Sequence, residues 1–111
     1  MSDLGLDMAA AIDRMGDRDL YIEICHELAL ELPRLQKEIT VAMDNGAWPD
    51  ARRFSHSLKS NCAAVGAEQL RGSMYDVELA CHNNETEKAR QLFQDVKPQL
   101  DSLRETLLGL A

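Results

Sequence analysis

Long apolar runs are missing from this 111-residue chain. No stretch approaches the roughly 18–20 residues needed to cross a bilayer, so no membrane span is expected. Positive charge is also scarce: 12 Lys and Arg stand against 19 Asp and Glu, a formal charge of −7 with His neutral. Phosphate backbones select basic faces, which makes nucleic acid a poor partner. Cysteines are few, and Cys25, Cys62 and Cys81 are odd in number and widely spaced. That pattern argues against a disulfide framework or a structural zinc site and for a reducing, cytoplasmic setting. The early acids Asp3, Asp7 and Asp13 are foreign to a signal peptide. Runs of β-branched residues and strand-type alternation are absent, as are a G-x-x-x-x-G-K-[ST] loop and a kinase signature. The chain therefore brings no recognisable ATP site of its own.

What remains is helical periodicity almost throughout. One domain over residues 1–111 fits this length, which suffices to bury a core without staples. A short first helix is capped by Asp7 and ended by Gly16, with Met8, Ile12 and Met15 on one face. A long second helix follows Asp17, with Leu20, Ile24, Leu28, Leu32, Leu35 and Ile39 as its stripe, and closes at Asn45-Gly46. Pro33 falls inside it; an interior proline costs on the order of 3 kcal/mol and usually kinks a helix, yet the stripe continues in phase, so one kinked helix is expected. A third helix starts at Trp48-Pro49 and ends at Gly66, and a fourth runs from Ala67 to about His82. A fifth, capped by Asn84 or Thr86, carries Ala89, Leu92, Val96, Leu100, Leu103 and Leu107 past Pro98. Four long amphipathic helices with short connections predict an all-α, antiparallel four-helix bundle, with the short N-terminal helix across one end. The first helix has its own cap and no linker before it, so a free-standing chain is expected, and four helices already sharing one core favour a monomer.

The third helix holds the residues best suited to chemistry. At about 100° per residue, Ala51, Phe54, Leu58, Cys62 and Val65 cluster on one face, the predicted core face. Truncating Phe54 to Ala is accordingly expected to cost about 3–5 kcal/mol. His56 lies opposite, with Arg52, Lys59, Ser60 and Ala63 around it and Arg53 at the edge. Three cations and one acid between Pro49 and Val65 contrast with the acidic chain. A neutral imidazole nitrogen is a good nucleophile near pH 7, and surrounding cations favour the neutral ring. The same cations suit a transferred phosphoryl group. Ser60 and Ala63 are small and leave room for another protein to approach.

The run His56-Ser57-Leu58-Lys59-Ser60-Asn61-Cys62-Ala63-Ala64-Val65-Gly66-Ala67 resembles the signature of the histidine-containing phosphotransfer (HPt) domain, roughly H-x-L-K-[GS]-x-x-x-x-x-G. The similarity extends to DRDLYIEICHELALELP, NGAWPDARRFSHSLK and GAEQL. The resemblance implies that His56 is the phosphorylated residue, Lys59 the phosphoryl-supporting cation and Gly66 the turn that closes the helix. Ser60 replaces the commoner glycine; its hydroxyl can bond back to the His56 carbonyl or reach the phosphoryl group. The implied partners are response-regulator receiver domains, which supply the aspartyl phosphate and the Mg²⁺, and a hybrid sensor kinase as a further candidate. Arg52, Arg53, Lys59 and Ala63 are the expected contacts. The domain would then be a relay carrier, with no cofactor of its own.

A competing reading is a helical interaction module that binds receivers without being phosphorylated; the intact His56/Lys59 pair speaks against it. Cys25-His26 and Cys81-His82 are poor chelators, because neighbours on a helix diverge by about 100°. The three cysteines are expected inward and inert, and Trp48 is expected to wedge its loop against the second helix.

Overall fold

The computed structural model describes residues 5–111; Asp3, used above against a signal peptide, lies outside them. Five helices follow one another: α1 (Met8–Met15), α2 (Arg18–Asp44), α3 (Trp48–Val65), α4 (Glu68–His82) and α5 (Thr86–Leu108). α2 packs on α3, α3 on α4, α4 on α5, and α5 returns to α2, which closes an antiparallel four-helix ring. At 1.5 Å per residue, the 27 residues of α2 span about 40 Å, matching the 40 Å long axis of the molecule. Among the described residues, no helix is long and apolar enough to cross a membrane.

Local chemistry explains the helix ends. Asp7 accepts the Ala10 N–H at 3.0 Å, and Asp17 accepts those of Asp19 and Leu20 at 2.9 and 3.2 Å. Gly16 and Gly66 both adopt the left-handed conformation that ends a helix, with φ of 76° and 87°. The fifth helix departs from expectation. Neither Asn84 nor Thr86 caps it; Glu85 occupies the cap position without a side-chain bond. The turn residues instead close α4, since the Asn83, Asn84 and Glu85 amides donate to the carbonyls of Leu79, Cys81 and Ala80.

α2 runs unbroken through Pro33. The proline removes the N–H that would bond the Ala29 carbonyl one turn earlier. Arg104 Nε of α5 donates to that carbonyl at 3.2 Å, so a side chain from a neighbouring helix replaces the missing donor. The first turns of α2 are rotated from the predicted stripe. Leu20 is 43% exposed and Ile24 half-buried, while Tyr21 and Cys25 face the core. The rotation puts the Tyr21 hydroxyl 2.7 Å from the Val65 carbonyl, to which it donates.

That bond is one of several holding the C-terminus of α3. Arg14 of α1 donates to the Ala63 carbonyl at 3.2 Å, and the Asp7 amide donates to the Gly66 carbonyl at 2.9 Å. Leu6 and Ala67 pair as an isolated antiparallel bridge beside them. A Cβ on Gly66 would collide with the Asp7 carbonyl oxygen. Gly66 therefore turns the chain and also makes room for α1, which lies across this end of the bundle as predicted. Helix carbonyls that would lack partners at α3's end are satisfied by α1 and α2, so α3 is anchored firmly below its exposed face.

Candidate functional site

α3 turns Ala51, Ser55, Leu58, Cys62 and Val65 inward. Phe54 is not in that set; it is half-buried at the rim, with the Arg53 guanidinium 4.4 Å from its ring centroid. The buried arc is centred slightly toward Ser55, which takes the core position with a much smaller side chain. The Ser55 hydroxyl is fully buried and has no hydrogen-bond partner among the described residues.

His56 stands opposite this arc, its side chain 59% exposed. Its Nδ1 lies 2.9 Å from Oε2 of Glu78, on α4. The other Glu78 oxygen, Oε1, lies 2.8 Å from Lys59 Nζ. One carboxylate thus joins the histidine and the lysine one turn later. Lys59 is not the free outer cation the helical wheel suggested: its side chain is only 20% exposed, and its ammonium sits 5.3 Å from the Tyr75 ring centroid. Burial alone would raise the Glu78 pKa. The Lys59 ion pair and the His56 hydrogen bond, with their charges, outweigh that effect and hold the carboxyl below its ordinary range.

The charge nearest the ring is therefore a carboxylate rather than a cation, which replaces the expectation that cations alone tune His56. A carboxylate oxygen accepts, so the bond selects the tautomer with the proton on Nδ1 and leaves the Nε2 lone pair free. Pro49, Arg52, Arg53, His56, Ser57 and Glu78 line an open hollow at this point. Arg53 also approaches Asp50, at 3.6 Å. Ser60 is exposed, and its hydroxyl makes no bond back to the His56 carbonyl among the described residues; the hydroxyl that bonds back is that of Ser57, to the Arg53 carbonyl at 3.3 Å. Ala63 is half-buried, its carbonyl taken by Arg14.

Glu78 is the residue that sequence reasoning missed. It follows Val77 at the border of the α4 stripe, and a carboxylate bordering the stripe of the helix after the histidine helix was the available signal. The remaining candidates are spent elsewhere. All three cysteines are free and buried. Burial pushes the Cys62 thiol up to about 12, and burial with the Glu78 charge pushes Cys81 up to about 11. His26 Nε2 lies 2.7 Å from the Leu110 carbonyl. Trp48 is half-buried at the start of α3, and it is Arg90 of α5 that stacks over it, 5.1 Å from the ring centroid.

No curated protein and no solved structure matches the chain. A family model, that of the Hpt domain, matches residues 19–107. α1 lies before the matched stretch, which runs from the first turn of α2 to the last turn of α5. With the outward histidine, its lysine and its glycine turn all inside that stretch, the chain belongs to the Hpt domain family.

Proposed function

We propose that this domain is a phosphorelay carrier: His56 accepts a phosphoryl group from the aspartyl phosphate of a receiver domain and passes it to a second receiver. The observation that carries the reading is the exposed His56 ring, held through Nδ1 by Glu78 at 2.9 Å. The Nε2 lone pair attacks phosphorus, an Nε2–P bond forms, and the P–O bond to the aspartyl carboxylate breaks. No proton leaves the ring, so the phosphorylated imidazole gains one positive charge, which the Glu78 carboxylate faces directly. Lys59 supports that state through Glu78 by fixing the carboxylate's position and offsetting its charge in the free protein.

The contribution of the chain is positioning, since phosphoryl transfer asks chiefly for alignment and charge stabilisation. The Mg²⁺ that such a transfer uses belongs to the receiver in this reading. Ser60 and Ala63 keep the face beyond His56 low, and Arg52 and Arg53 offer basic contacts to an acidic receiver site. The three buried, free thiols accord with a cytoplasmic setting.

The test is incubation with a panel of phosphorylated receivers, followed by mapping of the label. Wild type is expected to take up acid-labile, alkali-stable phosphate on His56. His56→Gln is expected to take up none while melting within a few degrees of wild type, because the ring is exposed. Label on another residue, or undiminished uptake by His56→Gln, would overturn the proposal.

A further inference from the structure

We propose that the groove between α3 and α4, running from His56 to the turn at Asn84, is a docking surface for an acidic loop of the receiver domain. The inference rests on the carrier reading above and adds to it the part of the receiver that is met beyond the histidine.

Two hollows lie end to end on this face. The first is the one beside His56, about 370 Å³ in volume. The second, of about 240 Å³, is lined by Trp48, Pro49, Arg52, Cys81, His82 and Asn84. Pro49 and Arg52 line both, so the hollows form one groove along the N-terminal half of α3. From Trp48 to His56 the helix rises about 12 Å, at 1.5 Å per residue. An extended segment covers that distance in about four residues, at roughly 3.3 Å each.

The lining decides the chemistry of the occupant. Arg52 is exposed, and among the described residues no carboxylate lies within ion-pair distance of it. Arg53 and the exposed His82 stand along the same rim. The one acid in the lining, Glu78, is already met by Lys59 and His56. On a chain of net charge −7 the groove is therefore a basic surface, complementary to an acidic one. Trp48 adds a half-buried apolar anchor, and tryptophan and arginine are the side chains that carry most docking energy. Whatever brings phosphorus to Nε2 of His56 stands over the first hollow, and a receiver does so with an aspartyl phosphate and Mg²⁺. Carboxylates hold Mg²⁺, so the receiver's face around its phosphoaspartate is acidic. A loop leaving that face continues into the second hollow, where Arg52 and His82 meet its carboxylates.

The experiment uses the full chain and the receiver of the panel that transfers fastest to His56. Trp48 is the only tryptophan, so its indole N–H gives a single signal in the ¹H–¹⁵N spectrum of the labelled chain. That signal, with the backbone amides of His82 and Asn84, is expected to shift saturably as the unphosphorylated receiver is added. Transfer kinetics at low ionic strength are then compared for wild type, Arg52→Glu and His82→Glu. Each variant is expected to raise KM for the receiver at least about threefold, a gap that narrows as salt is added. A folding defect would lower kcat through the active fraction and would not raise KM. Lys37→Glu, the same change of charge as Arg52→Glu but on the outer face of α2, is expected to leave KM within a factor of about two. An unmoved Trp48 indole at saturating receiver, a smaller rise in KM in either variant, or an equal rise in Lys37→Glu overturns the assignment. Failure of every receiver to label wild type would instead sink the carrier reading on which it rests, so the two failures are distinguishable.

Discussion

Glu78 governs the site at the scale of single residues. Its carboxylate is mostly covered and touches both His56 and Lys59, and its pKa is held low by those contacts against the opposing effect of burial. A carboxyl whose folded pKa lies below its unfolded value, near 4.5, contributes stability that is fully present above that pH. The contribution is lost as pH falls through the lower folded value. Glu78→Gln should therefore cost about 1 kcal/mol near pH 7, and the gap to wild type should shrink as pH drops below about 4.5. Urea unfolding between pH 3 and 7 measures this; a gap that stays constant across the range would contradict it. His56 was legible in the sequence because an outward histidine follows from helical phase alone. Glu78 was not, because periodicity places a residue at the edge of a stripe without saying which neighbouring helix that edge will meet. The same limit applied to Lys59: its phase was read correctly, but its burial depends on α4.

At the scale of elements, most boundaries followed from capping chemistry written locally in the chain: Asp7, Asp17, Gly16 and Gly66 act where their side chains or their lack of one dictate. The errors came from tertiary demands. Tyr21 turns inward to reach the Val65 carbonyl, and Leu20 is left half-exposed as a result. Pro33 survives inside α2 because Arg104, distant in sequence, serves the orphaned Ala29 carbonyl. Phe54 and Ser55 differ by one position, and a small change in where α3 is pressed decides which is buried. This shift revises the expected cost of truncation. Phe54→Ala should lose only about 1–2 kcal/mol, because the ring is half out of the core already. Phe93, 2% exposed on α5, should lose about 3–5 kcal/mol on the same change. Equal losses in chemical denaturation would restore Phe54 to the core and contradict the observed rotation of α3.

Across the whole molecule, several of the few cations serve as fasteners. Arg14, Arg18, Arg90 and Arg104 each donate to a backbone carbonyl in another part of the chain, at Ala63, Ala111, Met43 and Ala29. They fasten the bundle rather than present charge. Arg52 and Arg53 face outward near the N-terminal half of α3, beside His56, on a chain of net charge −7. With α2 to α5 already sharing one core, a monomer is the proposed state of the carrier. The bundle's part in the proposed chemistry is to keep α3 fixed at both faces, its buried side against α2 and α4 and its C-terminal carbonyls against α1 and α2. The outward ring then has a single nitrogen left to react. Long-range ¹H–¹⁵N spectra of the protein, before and after phosphorylation, read that nitrogen directly. The account predicts a proton on His56 Nδ1 in the free state and phosphorus bonded to Nε2 afterwards; a phosphorus bond at Nδ1, or a free ring protonated only at Nε2, would contradict it.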